Sequence, residues 1–319
     1  MEFLGIDIGG TKCAVVRGNE KGEILEKVKI STVGAEETLE KIFEAAEKIK
    51  GNSIAVGISC GGPLDSETGT ILSPPNLPGW DEIKIEKMVN DRLGLNAYLC
   101  NDANACALAE WRFGAGKGSR NMIFLTFGTG MGAGLILDGR LYNGTNGNAG
   151  EVGHIRLERF GPSGYGKEGS FEGFASGGGI ALSGKMKAIE ALQKGEKPMY
   201  CKSLSELESV TAKSIAEAAK AGDKTAIEVY KLTGEMLGRG LSILIDILNP
   251  DRIVIGSVYQ RSSELMKESM QRVIDKEALS HARNVVKIVG AELGDELGDA
   301  AALALAVECY EQKGVKIND

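Results

Sequence analysis

The sequence predicts a mixed α/β protein of two domains, and three observations carry that expectation. An apolar strand, a glycine-rich turn and a second apolar strand occur at 3–16 (FLGIDIGGTKCAVV), and the same design returns at 123–137 (IFLTFGTGMGAGLIL). Apolar runs alternate with stretches of helical periodicity along the whole chain, while the two hairpins make the sheets mixed rather than wholly parallel. The length of 319 residues exceeds the usual reach of one hydrophobic core.

Taken in order, the first hairpin is followed by a helix over 35–50, where Leu39, Ile42, Phe43 and Ala46 recur at helical spacing. SIAVGIS at 53–59 is a short buried strand, and 61–80 is a loop that holds four of the seven prolines. A helix is predicted over 83–93, a strand over 97–100 ending at Asn101-Asp102, and a helix over 103–113 closed by Gly114-Ala115-Gly116. Beyond the second hairpin, helices are predicted over 174–192, 211–221 and 224–248. In the last of these Gly234 and Gly238 permit close helix contact and Asn249-Pro250 is the stop. RIVIG at 252–256 is a strand, 262–276 a helix, 285–289 a strand and 299–312 a closing helix.

Composition narrows the function classes. Hydrophobic residues make up 43% and charged residues 25%, as in ordinary globular proteins. The net charge of −7 argues against a nucleic-acid backbone as partner, so any anion site must be local. The six cysteines form no CxxC pair and read as small buried hydrophobes of a reducing compartment. No basic leader and no apolar run long enough for a bilayer is visible, so no membrane partner and a cytoplasmic location are expected.

Glycine lets backbone N–H groups face a ligand with no Cβ in the way, and successive N–H groups form a concavity for anions. Neither turn is a GxxxxGK[ST] loop. Gly128, Gly130 and Ala133 pass the dinucleotide pattern, but a strand closed by Asp138-Gly139 follows where that fingerprint needs a helix. A polyphosphate held by both turns fits better. Asp7 and Lys12 flank the first turn as a metal-directed carboxylate and a phosphate-directed ammonium, which suits a Mg²⁺-bound nucleotide. Asp102 sits where a strand ends and a helix begins. It is a helix N-cap or, at the ligand-binding end of an α/β sheet, a general base toward a hydroxyl. Glu151, His154 and Glu172, with flanking glycines, can fork hydrogen bonds around vicinal hydroxyls. Asn76 lies near Trp80, a candidate apolar wall.

Together the motifs resemble the ROK family of sugar kinases and repressors, of the actin–hexokinase fold group. They are DIGGTK at 7–12, NDANACALAEW at 101–111, TFGTGMGAG at 126–134, GEVGHI at 150–155, IVIG at 253–256 and LGDAAALALA at 297–306. The resemblance implies two ribonuclease-H-like domains with a cleft between them. The first spans 1–116 and is closed by the helix 297–313; the second spans 117–296. It implies ATP and Mg²⁺, with phosphates held by Asp7, Gly9, Gly10, Thr11 and Lys12 and by Gly128, Thr129 and Gly130. Gly256 and Ser257 fall on the adenosine side, where the family often carries more glycines. Asp102 is implied as base toward the sugar hydroxyl, expected to be the one at C6, with Gly62, Asn76, Asn101, Glu151, His154 and Glu172 as sugar contacts. Glucose is the first-choice substrate; N-acetylmannosamine and a β-glucoside with a bulky C1 group are the alternatives. A homodimer is implied too. A sugar-responsive regulator is the remote reading, because the phosphate turn already begins at Asp7 and leaves no room ahead of it for a DNA-binding domain.

One departure from the family pattern stands out. Many members carry CxCGxxGCxE shortly after the GH pair and bind zinc with it, whereas this chain reads SGYGKEGSFE at 163–172. Ser163, Tyr165 and Ser170 cannot supply thiolates, so no zinc site is expected and His154 is left to the sugar.

Overall fold

Asp7, Asn101 and Asp102 reach one edge of a sheet because of strand register. In the computed structural model, which describes residues 1–314, the longer elements of the first part are β1 (Glu2–Ile8), β2 (Lys12–Asn19), β3 (Ile24–Ser31), α1 (Ala35–Ile49), β4 (Ser53–Cys60), α2 (Ile85–Leu93), β5 (Asn96–Asn101) and α3 (Asp102–Phe113). They continue with β6 (Met122–Leu125), β7 (Ala133–Leu137), α4 (Gly177–Gln193), α5 (Ala212–Lys220), α6 (Lys224–Leu248), β8 (Arg252–Ile255), α7 (Lys267–Glu277), β9 (Lys287–Gly290) and α8 (Leu297–Gly314). Two compact units result: residues 1–119, 134–149 and 292 onward form the first, 120–133 and 150–291 the second.

In the first unit five strands lie in the order β3-β2-β1-β4-β5, with β1 antiparallel to β2 and parallel to β4, and β4 parallel to β5. The register sets Asp7 opposite Ser59 and Cys60 opposite Asn101, so the carboxyl ends of three parallel strands meet at one edge. Alternation divides the side chains: Leu4, Ile6 and Ile8 join Ile42, Phe43, Ile58 and Val89 in one core. Phe3, Val16 and Ala55 turn the other way, onto Leu303, Ala306 and Val307 of α8. Gly57 is what lets that helix lie flat, because a Cβ there would come 2.0 Å from the Ala302 carbonyl oxygen.

In the second unit β8 pairs in parallel with both β6 and β9. The 25-residue α6 crosses α7 closely. At Gly234 a Cβ would meet the Met266 carbonyl oxygen at 2.5 Å and at Gly238 the Met270 carbonyl oxygen at 2.6 Å, which bears out the close contact.

Several boundaries follow local chemistry more closely than periodicity did. The helix expected over 174–192 begins at Gly177, because the Ser176 side chain accepts from Gly179 N and caps it; a separate short helix occupies Phe171–Phe174. The helix expected over 262–276 is broken: Val258–Ser262 and a 3₁₀ turn at Ser263–Leu265 precede α7. Trp80 is fully buried among the residues of the first core and forms no wall of a ligand site. Five of the six cysteines are buried, Cys106 is half-buried, and none is paired.

Candidate active site

In the first unit the turn joining β1 to β2 closes with Gly9 N donating to Lys12 O at 3.1 Å, and Thr32 Oγ1 donates to Gly9 O at 2.6 Å. Gly10 presses on the 61–80 loop: a Cβ would stand 2.6 Å from the Asn76 carbonyl oxygen, so Asn76 is carried to the turn between β1 and β2. Gly61 also faces the Asn76 amide, with Gly62 next in the chain ahead of Pro63 through a cis bond. Thr11 and Lys12 are exposed at the tip.

The two residues at the end of β5 divide their work. Asn101 is the N-cap of α3, its Oδ1 accepting from Asn104 N at 2.8 Å. Asp102 is thereby relieved of capping, accepts from Ala103 N at 2.8 Å, and keeps its carboxylate accessible to solvent. The protein around it penalises the charged form and raises its pKa, against the opposing effect of that backbone donor. Asp7 is pushed up to about 6 by burial first, then by the charges of Asp299 and Asp102; a hydrogen bond with Ser59 and the charge of Lys27 oppose this. Lys27 is itself taken by Asp299 in an ion pair.

In the second unit the other glycine turn is tied by Thr126 N to Gly132 O at 3.0 Å and by Gly128 N to Gly130 O at 3.0 Å. The first N–H groups of α4 are spent holding it: Gly177 N donates to Gly128 O at 2.7 Å and Gly178 N to Thr129 O at 3.0 Å. Val258 N donates to Phe127 O at 3.0 Å, which brings Gly256 and Ser257 beside the same turn. There a cavity of about 790 Å³ opens, lined in part by Gly128, Thr129 and Ser257; Gly130 and Gly256 belong to the turns but not to its lining. The rest of its wall was missed by sequence reasoning: Lys213 and Ala216 of α5, Tyr230 of α6 and Arg261 contribute. Its size suits a nucleoside.

The same turn receives the candidate sugar residues of this unit. Gly150, at φ 93°, stands where a Cβ would be 2.0 Å from the Ala133 carbonyl oxygen, and at Gly153 one would be 2.2 Å from that of Met131. Glu151 and His154, both exposed, are thus carried alongside residues 131–133. Glu172 joins them from the short helix capped by Ser170, its Oε2 accepting from Met131 N at 2.9 Å. The loop at 163–170 is built without cysteine. Ser163–Gly164 pairs with Lys167–Glu168, Lys167 Nζ donates to His154 O at 2.6 Å, and Arg156 Nη1 donates to Glu168 O at 2.6 Å.

The description of the ROK family matches residues 3–308 of this chain. The glucokinase of Streptomyces coelicolor is 31% identical over 310 residues, 96% of this chain and 97% of that protein. A ROK family glucokinase from Streptomyces griseus, solved in complex with glucose and AMPPNP, is 31% identical with a TM-score of 0.74, over 97% of this chain and 100% of that one. A ROK hexokinase from Thermus thermophilus is 29% identical with a TM-score of 0.80, over 98% of this chain and 100% of that one. Likeness over nearly the full length, in sequence and in fold, shows that the chain belongs to the ROK family, as one of its sugar kinases.

Proposed function

We propose that the chain transfers the γ-phosphoryl group of ATP to the C6 hydroxyl of a glucose-type hexose, with Asp102 as general base. The observation that carries the reading is the division of labour at the end of β5. Asn101 caps the helix, which leaves the Asp102 carboxylate accessible, at the carboxyl edge of parallel strands, with a raised proton affinity. Phosphoryl transfer asks little covalent help of a protein beyond a proton acceptor and well-placed positive charge and amide donors.

The nucleoside fits the cavity beside Gly128, Thr129 and Ser257. Gly9, Gly10, Thr11 and Lys12 supply amides and an ammonium for phosphates in the first unit, as Gly128, Thr129 and Gly130 supply amides in the second. A Mg²⁺ ion carried by the phosphates would favour the charged form of Asp7, which burial first and then the charges of Asp299 and Asp102 disfavour. When bound, the ion would neutralise phosphate charge. Glu151, His154 and Glu172 in the second unit and Asn76, Asn101 and the Gly62 backbone in the first are the groups assigned to the sugar hydroxyls.

Asp102→Asn tests the reading by steady-state ADP release. The expected result is a fall in kcat of about 10²–10⁴-fold, with KM for the sugar changed only a few-fold. Near-normal turnover in a folded variant removes Asp102 from the base role.

A further inference from the structure

Glu172 turns its carboxylate onto the second glycine turn, and its path there is closely built. The short helix that carries it is anchored by Phe171, fully buried, whose ring lies against Gly240 of α6, where a Cβ would come within 2.3 Å of it. The Glu172 side chain then passes backbones that glycine keeps clear. A Cβ at Gly164 would lie 2.9 Å and one at Gly153 3.2 Å from the Glu172 Cβ, and one at Gly130 would lie 2.8 Å from Oε2. At the end of this passage Oε2 accepts from Met131 N at 2.9 Å. The peptide between Gly130 and Met131 is thereby gripped on both sides, because its carbonyl oxygen accepts from Gly128 N at 3.0 Å. Gly132 N is taken as well, donating to Thr126 Oγ1 at 3.0 Å. Among the described residues no hydrogen bond takes the N–H of Thr129 or of Gly130.

We propose that Glu172 is a positioning residue for the phosphoryl donor: by holding the Met131 N–H it fixes the turn in the form that leaves the Thr129 and Gly130 amides for a polyphosphate. This rests on the reading above that the turn at 128–130 holds phosphates. Charge is not what the residue contributes, since a carboxylate near a polyphosphate repels it. Its contribution is geometric. A planar peptide flanked by glycine rotates as a unit at little steric cost, and without an acceptor the Met131 N–H favours rotation toward another partner. Such a rotation re-aims the neighbouring amides that form the anion concavity. Oε1 accepts no hydrogen bond among the described residues, so the sugar role assigned to Glu172 is compatible with this one.

The test is calorimetry with Mg-AMPPNP and with tripolyphosphate, in the absence of sugar, on the wild type, Glu172→Gln and Glu172→Ala. Both variants remove the charge, but only Gln keeps an oxygen that can accept from Met131 N. Glu172→Gln should therefore bind both probes at least as tightly as the wild type, and Glu172→Ala about tenfold more weakly than Glu172→Gln. A residue that served the sugar alone would leave the two variants equal, and that result overturns the proposal. Should Glu172→Ala fail to fold, Glu172→Met, of similar length and without a strong acceptor, is judged by the same comparison. A wild type that binds tripolyphosphate but not AMPPNP removes the nucleotide reading, and the comparison on tripolyphosphate then decides for Glu172. A wild type that binds neither probe overturns both.

Discussion

Asp7 shows how a single carboxylate can be costly to the fold in the place proposed for it beside the phosphates. With a pKa of about 6 in the folded protein, against about 4 in an unfolded chain, it binds its proton more tightly when folded. Stability from this group is therefore full below about pH 4, declines as pH rises to about 6, and stays lowered above. Asp7→Asn should match the wild type near pH 4 and exceed it by about 2 kcal/mol at pH 8, as read by urea unfolding at both values, while turnover with Mg-ATP collapses. Equal stability at pH 8 would show that the charge carries no such penalty. At this scale the motifs made most of the candidate residues easy to name, because DIGGTK, ND and GEVGH are local strings. Two things were not legible. Asn101 and Asp102 are both good N-caps, and only the hydrogen bond to Asn104 N decides which one is free. Trp80 lies next to a site loop in sequence, yet its ring is consumed by the core.

Among elements, the join between α3 and the segment leading into α8 depends on one buried carboxylate. Glu110 accepts from Ala115 N at 2.8 Å, Glu292 N at 2.9 Å and Leu293 N at 3.0 Å. Glu110→Ala removes the acceptor that these three N–H groups share and should cost about 3 kcal/mol in chemical denaturation, with Glu110→Gln intermediate. Gly150→Ala should be as severe, since the new methyl has no room before the Ala133 carbonyl and φ is 93°. The expected result is loss of more than about 2 kcal/mol and a raised KM for sugar, measured on whatever fraction folds. Helices with clear caps were legible to within a residue or two: α5 and α6 start after Thr211 and Asp223, whose side chains accept from Ser214 N and Ala226 N. The break before α7 was not. Apolar spacing runs on through it, but the backbone at Met266 must pass over Gly234 of α6, a demand set by a neighbour outside any local window.

On the scale of the whole molecule, the cavity shows what a linear reading loses. Lys213, Ala216, Tyr230 and Arg261 lie far along the chain from the turn that they serve, and α5 reads as an ordinary amphipathic helix. Because the cavity is formed within the second unit, nucleotide alone should stabilise the protein. AMPPNP at about a hundred times its Kd would contribute about 2.7 kcal/mol, seen as a Tm rise of several degrees in the absence of sugar. Ala216→Phe, which fills the cavity, should abolish that rise; a rise of the same size in the variant would place the nucleotide elsewhere. The first unit has a different dependence. Residues of α8 pack on a sheet whose strands come from the beginning of the chain, with Leu303 and Ala306 buried against Phe3 and Val16. During synthesis on the ribosome the first sheet must therefore wait, one face bare, while the whole second unit is made. Asp7 gains its final surroundings, Asp299 among them, only when α8 has emerged. A stop before residue 297 would yield not a slightly shortened enzyme but an exposed apolar sheet, handed to chaperones and proteases.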